Sequence, residues 1–403
     1  MPSALSHLRV LDLSRVLAGP WSSQILADMG AEVIKIERPG SGDDTRDWGP
    51  PFLKDKSGND THEAAYYLSA NRGKKSLSLD ISKPEGQEII RKLAAMSDIV
   101  IENFKVDGLK HYGLDYASLK KINPNLIYCS ITGFGQTGPY AHHAGYDIMI
   151  QGMGGMMSVT GEPDGAPMKV GVAVTDIMTG MYATVAILAA LEHRHQSGEG
   201  QYIDLALLDT QVAMLANLAS NYLVARKIPQ RMGNAHSTIV PYQSFECADG
   251  HMILAIGNEG QFAKFCDVAQ AMEIKNDARF ATNSERVKHR DVLVPLLEKM
   301  IKLRKRDDWL TSLEVVGVPC GPINDMQQVF DNPQVKHRQV RVDVPHTLAD
   351  TVPMVANPIK FSVTPIAYNN APPTLGQHTN DILHTLLNMR DEEIQALRDN
   401  KII

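Results

Sequence analysis

The first third of the chain alternates short apolar runs with longer amphipathic segments. The short runs are typical of buried strands, and the amphipathic segments are typical of helices. The predicted strands are Leu8–Leu13, Glu32–Ile36, Ser76–Leu79, Ile99–Glu102 and Leu126–Ile131, and the predicted helices are Trp21–Met29 and Pro84–Met96. Strands that alternate with helices at this interval indicate a parallel sheet with right-handed crossovers.

The loops that follow these strands should meet at one edge of the sheet. They begin at Ser14, Glu37, Glu102 and Thr132. Ligands of open α/β sheets bind at that edge, so a site is expected between these loops. No G-x-G-x-x-G motif opens a helix after the first strand. A nicotinamide-dependent dehydrogenase is therefore disfavoured.

The second half of the chain has a different pattern. Ile203–Ala225 is apolar almost all the way round, which predicts a long helix buried in a large core or in a subunit interface. Ser244–Cys247 and Met252–Ile256 resemble two strands joined by an Ala-Asp-Gly turn, a hairpin signal. Val292–Lys302 and Asp308–Val315 are charged segments with helical spacing.

A length of 403 residues favours two domains. We expect an α/β protein with a Rossmann-like parallel-sheet large domain and a smaller α+β domain. The large domain is expected to begin with residues 1–225. The small domain is placed at 230–315, and residues 325–403 should return to the large domain.

One apolar run, Val170–Leu191, contains a single charged residue, Asp176. A buried unpaired carboxylate is costly, so it needs a partner, a raised pKa or a catalytic task. Asp176 could be a nucleophile, or it could cap the helix that follows. Gly171 and Gly180 leave room for a ligand or another backbone. The run approaches membrane-spanning length, but its polar residues favour a buried segment of a protein with no membrane partner.

Composition narrows the partners and the compartment. A formal charge of −6 argues against general nucleic-acid binding. The four cysteines are scattered and form no C-x-x-C pair, so no zinc or other metal site is expected. A reducing, cytoplasmic location fits these thiols best.

Two further patterns could carry chemistry. Arg38 follows one predicted strand, and Arg72, Lys74 and Lys75 stand just before another; they predict phosphate contacts, with a solvated charge run as the alternative. Ile256–Phe262 reads IGNEGQF and predicts either a lid that excludes water or an ordinary tight turn.

Several segments in order along the chain resemble the class III CoA-transferases, the family of formyl-CoA transferase and carnitine CoA-transferase. The matching segments are VLDLSRVLAGP, GAEVIKIERPGSGDDTR, NRGKKSLSLD, IENF, ITGFGQTGPYAHHAGYD, VGVAVTDIMTGMYA and GNEGQF, with a weaker match at Leu375–His378. They run from residue 10 to about residue 262. Each is weak alone, but the ordered set is specific.

The resemblance implies that Asp176 is the catalytic nucleophile. Its carboxylate would attack an acyl-CoA thioester to form a mixed anhydride, and the released thiolate would then form an aspartyl-CoA thioester. Gly257, Gly260 and Gln261 match the family's glycine loop, which implies a lid that protects the anhydride from water. Coenzyme A enters as a thioester substrate, and no tightly bound cofactor is expected.

The resemblance also implies contacts to CoA and a homodimer of two interlocked rings. His111 stands where the family more often has arginine, which leaves one phosphate contact in question. The implied CoA contacts are Val16, Arg38, Arg72, Lys75, Asn103, Phe104 and His111.

Two departures refine the substrate. The oxalate branch of the family resembles His-Val-Gln where this chain has Arg15-Val16-Leu17, so oxalate is disfavoured. Related racemases have Gly-His-Asp where this chain has Gly145-Tyr146-Asp147. Tyrosine is a poor α-proton base at neutral pH, which disfavours racemisation.

The N-terminal segments look most like the branch that uses succinyl-CoA and a dicarboxylate such as glutarate. Arg15 would then pair with the distal carboxylate, and Tyr146 and Asp147 would face the substrate. An acyl-CoA racemase or epimerase is the alternative, and a non-catalytic CoA-binding protein is the second alternative.

Overall fold

The computed structural model describes residues 3–403, which divide into two compact units. The first unit comprises the described residues up to Met156 together with Val170–Ala219 and Pro333–Ile403. The second comprises Met157–Lys169 and Ser220–Asn332. The sequence pattern gave no reason to expect Met157–Lys169 in the second unit.

The strands of the first unit build three sheets, and those of the second unit build one. The strands are β1 Arg9–Asp12, β2 Glu32–Glu37, β3 Phe52–Lys54, β4 Asp60–Ala64, β5 Lys74–Ser78, β6 Ile99–Glu102, β7 Ile127–Thr132, β8 Tyr202–Ala206, β9 Tyr242–Cys247, β10 Gly250–Ala255, β11 Cys320–Pro322, β12 Arg341–Pro345 and β13 Thr351–Val355.

Helices connect these strands and cover the main sheet. The helices are α1 Ala18–Asp28, α2 Ala65–Ser69, α3 Pro84–Ala95, α4 Tyr116–Leu119, α5 Asp147–Met153, α6 Met156–Val159, α7 Val174–Ser197, α8 Leu207–Met214, α9 Ala216–Ala225, α10 Glu259–Val268, α11 Met272–Lys275, α12 Asn283–Lys288, α13 Arg290–Ile301, α14 Arg306–Val315, α15 Met326–Asp331, α16 Pro333–His337, α17 Thr379–Leu387 and α18 Asp391–Asp399.

The main sheet is parallel and has the order β5-β2-β1-β6-β7-β8. Counted along the chain, its strands therefore run third, second, first, fourth, fifth, sixth, which is the doubly wound Rossmann order. The parallel α/β sheet predicted from the sequence is confirmed. The order reverses between β1 and β6, so the carboxyl ends of these two strands form the crevice where such sheets bind ligands.

Each face of the main sheet has its own apolar core. On one face α3, α17 and α18 pack against the strands, with Ile90, Leu93 and Leu383 fully buried. On the other face α1 and α7 do so, with Leu26 and Ile187 fully buried. Burial on both faces explains why these strands read as continuous apolar runs.

The long helix predicted over Ile203–Ala225 is wrong in its first part. Residues up to Ala206 form β8, the edge strand that pairs with β7, and two shorter helices follow. The break between those helices falls at Ala216, whose φ is 44°. The apolar residues of β8 continue directly into those of the first helix, so periodicity alone did not mark the change from strand to helix.

The second unit contains the predicted hairpin. β9 and β10 pair antiparallel, and Ala248–Gly250 lies at their connection. A third strand, β11, joins β10 from about 65 positions later in the chain. The helices α10, α13 and α14 cover this sheet around Phe265, Leu297 and Leu313, which are fully buried.

Helix α7 is long and apolar enough to cross a membrane by length and composition alone. One such helix is weak evidence, because core helices of soluble proteins share these properties. Only 39% of its apolar window is buried within the chain, which is less than the buried segment expected from the sequence. Its buried side packs against α1, where the Cβ of an alanine at Gly180 would stand 2.6 Å from Ala18 O.

Candidate active site

A cavity of about 720 Å³ opens at the reversal point of the main sheet. We call it the larger cavity. The loops after β1, β6 and β7 line it together with the first turn of α7, as the loops beginning at Ser14, Glu102 and Thr132 predicted. Its lining includes Arg15, Val16, Asp44, Asn103, Phe104, Lys105, Tyr146 and Asp176.

A smaller cavity of about 180 Å³ adjoins it, and Arg15, Asp44 and Phe104 line both. Arg38 lies on its wall, as its position after β2 predicted. The loop Leu79–Ser82 lines it too, and sequence reasoning missed this loop. The signal was available, because the loop directly follows a predicted strand.

Asp176 is the third residue of α7 and lies on the wall of the larger cavity. Its side chain does not cap the helix, so that alternative is overturned. The carboxylate of Asp147 does this instead: Oδ2 accepts the N–H of Thr175 at 2.9 Å and that of Asp176 at 3.3 Å. Asp147, expected to face the substrate, therefore holds the start of α7 and leaves the Asp176 carboxylate available.

The electrostatics of Asp176 are those of a largely desolvated acid without a counterion. Burial, helped by the negative charge of Asp147, raises the pKa of Asp176 to about 7. Within residues 3–403, neither a hydrogen bond nor an ion pair reaches its side-chain oxygens. The amino end of α7 favours the anion, so the carboxylate can ionise near neutral pH with its lone pairs free.

The loop after β1 is held in an unusual backbone conformation. Val16 has a φ of 69°, a left-handed value that is strained for a β-branched residue. The Asn103 side chain fixes the loop, because its Oδ1 accepts from Arg15 N at 2.9 Å and its Nδ2 donates to Arg15 O at 2.8 Å. Val16 N donates to both carboxylate oxygens of Asp43 at 3.2 Å.

The Arg15 side chain points to a carboxylate of the protein itself. Its Nη1 lies 2.8 Å from Asp44 Oδ2, and each side chain is about half exposed. The guanidinium also approaches the Phe104 ring at 6.0 Å from its centroid. The pairing of Arg15 with a substrate carboxylate stays a prediction.

Buried ion pairs support these loops from below. Lys35 Nζ lies 2.8 Å from Asp43 Oδ2 and donates to Ser14 O at 2.8 Å. Lys74 Nζ lies 3.2 Å from Asp12 Oδ2. Burial opposes ionisation of Asp43, but Lys35 outweighs it and holds the Asp43 pKa at about 2. The Lys35–Asp43 pair is thus charged at neutral pH and fixes the loop that carries Arg15 and Val16.

Glu102 ends β6 next to Asn103 and Phe104 and is buried without a cation. Its Oε2 accepts from Phe104 N at 2.7 Å, and its Oε1 accepts from the Ser130 hydroxyl. Burial raises the pKa of Glu102 to about 7, although both hydrogen bonds oppose that shift. It was not singled out from the sequence, where it appeared only as the start of a loop.

Three predicted phosphate contacts do not line either cavity. Lys74 is buried and pairs with Asp12. The other two are Arg72 and Lys75. The Arg72 guanidinium makes a bidentate pair with Asp28, at 2.8 and 2.6 Å, and donates to Val355 O. Lys75 pairs with Glu32 at 2.8 Å. Both lie toward the amino end of β5, whereas the cavities adjoin its carboxyl end. Strand direction separates them from the site, and their role in CoA binding stays a prediction.

Two further predicted residues, Tyr146 and His111, lie at or near the cavities. Tyr146 lines the larger cavity and is 64% exposed. His111 lies in a short 3-10 helix beside Tyr112, which lines the smaller cavity.

The predicted lid lies in the second unit, at the start of α10. Gly257 N donates to Gln261 Oε1 at 2.8 Å, and Gln261 N donates to Asn258 Oδ1 at 2.9 Å. These bonds form a compact turn around Gly260, and its action as a lid stays a prediction.

The fold and the site define an α/β protein with an unpaired carboxylate in a crevice at the sheet's reversal point. Residues 5–379 match CoA-transferase family III, and the chain belongs to that family. Among the residues that the structure describes, no cluster of side chains suits a metal ion.

Curated relatives match over most of their length. Succinate–glutarate CoA-transferase of Agrobacterium fabrum is 53% identical, over 95% of each chain. Succinyl-CoA:glutarate CoA-transferase of Homo sapiens is 42% identical, over 98% of this chain and 88% of the human protein.

Solved structures agree with this assignment. A CaiB/BaiF family protein from Brucella suis is 51% identical with a TM-score of 0.86, covering 96% of this chain and 100% of that one. Rv3272 from Mycobacterium tuberculosis is 28% identical with a TM-score of 0.83, covering 94% and 99%.

Proposed function

We propose that this chain transfers coenzyme A from succinyl-CoA to a dicarboxylic acid, with glutarate as the principal acceptor. The observation that carries the chemistry is Asp176, a half-buried carboxylate with free lone pairs on the wall of a cavity that can hold an acyl chain. The names of the relatives support the two substrates.

The proposed reaction exchanges carboxylates through Asp176. A carboxylate oxygen of Asp176 attacks the thioester carbonyl, the C–S bond breaks, and CoA thiolate leaves a mixed anhydride. The thiolate attacks the Asp176 carbonyl, which gives an aspartyl-CoA thioester and free succinate. The acceptor carboxylate then displaces the thiolate to form a second anhydride. The thiolate attacks the acceptor carbonyl, which releases glutaryl-CoA and the Asp176 carboxylate.

We propose that CoA binds across the two adjoining cavities. Arg38 on the smaller cavity would bind its phosphates, and Val16, Asn103 and Phe104 would line the path of the pantetheine arm toward Asp176. A compact lid around Gly257 and Gln261 would keep water from the anhydrides.

Trapping of the intermediate tests this proposal. Protein incubated with succinyl-CoA and then hydroxylamine should carry a hydroxamate on Asp176, detected by peptide mass spectrometry. Asp176→Asn should abolish transfer. Asp209→Asn is the matched control, because Asp209 is also the third residue of a helix, α8, but is exposed.

Two outcomes would contradict the proposal. Full transfer activity in Asp176→Asn would exclude covalent catalysis by Asp176. Deuterium uptake at Cα of a 2-methylacyl-CoA, without transfer to any acid, would indicate the racemase class instead.

We also propose that the chain is a homodimer, of the interlocked form that the family resemblance implies. Helices α5, α7 and α8 contact one another and expose large apolar side chains, which is unusual for a surface that faces only water. The exposed residues are Ile148, Met149, Met153, Met181, Tyr182, Val185 and Val212.

Light scattering coupled to gel filtration tests the dimer. Val185, which is 60% exposed, should tolerate Val185→Glu as a folded monomer if a partner covers it. Ile122→Glu changes an exposed residue of the same unit outside this patch and should stay dimeric. A monomeric wild-type protein would contradict the proposal.

A cytoplasmic location is part of the proposal. Its support is chemical: all four cysteines are free thiols, as expected in a reducing compartment.

A further inference from the structure

A half-exposed ion pair stands where the two cavities meet. Arg15 Nη1 lies 2.8 Å from Asp44 Oδ2, and both side chains are 51% exposed. Both residues line the larger and the smaller cavity. A ligand that extends from Arg38 in one cavity to Asp176 in the other must therefore pass this pair.

The backbone of Arg15 is fixed, whereas its guanidinium can change partner. Asn103 holds both the N–H and the C=O of Arg15. A guanidinium has five N–H donors, and across residues 3–403 Asp44 receives its one side-chain hydrogen bond. Donors therefore remain for a second anion at the same place.

The pair with Asp44 is weak enough to be replaced. Exposed ion pairs contribute little to stability, since water solvates both charges and holding two long side chains costs entropy. Asp44 nevertheless gives Arg15 a carboxylate partner in advance. An incoming anion thus competes with Asp44, and a carboxylate is the anion whose planar geometry this arrangement already fits.

We propose that Arg15 binds the second, non-reacting carboxylate of the dicarboxylic substrate and that Asp44 is its internal competitor. The inference rests on the proposed function, because the reacting carboxyl must meet Asp176 on the wall of the same cavity. Lys105 also lines this cavity, but its ammonium is an exposed point charge without the planar fork of Arg15.

Matched acceptors measure the effect. Glutarate and valerate have chains of the same length and differ in the second carboxylate. With saturating succinyl-CoA, Arg15→Gln should raise the KM for glutarate about tenfold and leave that for valerate within about twofold. Asp44→Asn should lower the KM for glutarate about two- to fivefold, since the competitor is lost.

A double variant tests the coupling between the two residues. If Asp44 acts only through Arg15, then Asp44→Asn should have no effect on the KM for glutarate in the Arg15→Gln background. Asp47→Asn is the control, because Asp47 is an exposed acid of the same 3-10 helix and lines neither cavity. It should leave the ratio of the two KM values unchanged.

Three results would overturn the inference. The first is an Asp44→Asn effect that is equal for both acids or that persists without Arg15. The second is a more than about threefold loss of affinity for CoA itself in Arg15→Gln, which would place Arg15 on the CoA diphosphate instead. The third is wild-type transfer to valerate that is as efficient as transfer to glutarate. This result would contradict the role of Arg15 but not the proposed CoA-transferase activity. Absence of transfer to either acid overturns the proposed function and this inference with it.

Discussion

At the scale of single residues, the site is organised around two carboxylates with different tasks. Asp147 accepts the N–H groups of Thr175 and Asp176 and so holds the start of α7. Among residues 3–403, no group hydrogen-bonds or pairs with the Asp176 carboxylate, which lies in a partly desolvated position. The like charge of Asp147 and burial both raise the Asp176 pKa, so the group that holds the nucleophile also sets when it ionises.

This arrangement predicts a pH dependence. Only the anion of Asp176 attacks the thioester, so kcat/KM for succinyl-CoA should rise with pH between about 6 and 8, with an apparent pKa near the 7 expected for Asp176. Asp147→Asn keeps a capping oxygen but removes the like charge, so it should move this limb to lower pH. Initial rates from pH 5.5 to 8.5 measure the shift, and an unmoved or upward-shifted limb would contradict it.

Glu102 gives a second prediction at this scale. Its pKa is raised to about 7 by burial, so the folded state binds a proton more tightly than the unfolded state. Stability from this group is present below its unfolded pKa and is lost as pH rises from about 4.5 to about 7.

Glu102→Gln keeps an acceptor for Phe104 N but does not ionise. Relative to wild type it should gain on the order of 1–3 kcal/mol in the free energy of unfolding at pH 8 and nothing at pH 4. Urea titrations at both values measure this gain. Glu102→Leu leaves Phe104 N unpaired, so it should lower the free energy of unfolding at both pH values. Equal effects of the two variants would contradict the role given to the ionisation of Glu102.

At the scale of elements, the placement of Asp176 depends on how closely α7 approaches α1. The Cβ of an alanine at Gly180 would meet Ala18 O at 2.6 Å, so this glycine permits the contact that the sequence anticipated. Helix α1 directly follows the loop of Arg15 and Val16. The α1–α7 contact therefore sets the position of the nucleophile relative to that loop.

Two glycines near the nucleophile allow a matched comparison. Gly180→Ala should force α7 away from α1, with a loss of about 1–3 kcal/mol in the free energy of unfolding and at least tenfold in kcat. At Gly171 an added Cβ meets nothing within 4 Å, so Gly171→Ala should be nearly neutral. Chemical denaturation and steady-state kinetics measure both, and equal effects would contradict the role of the close approach.

The sequence predicted secondary structure correctly where the pattern of apolar and polar residues fitted only one type of element. Ile99–Glu102 was predicted with the bounds that the structure shows, because its run of β-branched residues is too short for a helix and favours a strand. The prediction for Ile203–Ala225 was wrong at its start because a largely apolar segment fits both a strand and a helix. The cavity residue Asp44 begins a 3-10 helix of four residues, Asp44–Asp47, which is too short for periodicity to predict which side chains face inward.

At the scale of the whole molecule, binding of CoA and chemistry should be separable. A ligand that binds only the folded state stabilises it, and the cavity lined by Arg38 does not include Asp176. Asp176→Asn should therefore keep the rise in Tm that CoA gives the wild type. Arg38→Ala should reduce that rise, and a scan by differential scanning fluorimetry over CoA concentration measures both. Loss of the rise in Asp176→Asn would contradict the separation.

The sequence could indicate the class of the whole molecule but not its division into units. The ordered motifs are spread from residue 10 to about residue 262, so family membership could be recognised from the sequence. The membership of Met157–Lys169 in the second unit depends on contacts with residues far along the chain, which no local pattern encodes.

The buried pairs of Lys35 with Asp43 and of Lys74 with Asp12 also limit how this protein can evolve. Removal of one member leaves an unpaired charge in the interior. This lowers the free energy of unfolding far more than replacement of the whole pair does. Single substitutions at these four positions should therefore destabilise the protein. Only double substitutions that remove both charges of a pair should be tolerated. New acceptor specificities should therefore arise through substitutions at the exposed residues Arg15 and Asp44. The four buried charged residues should stay unchanged.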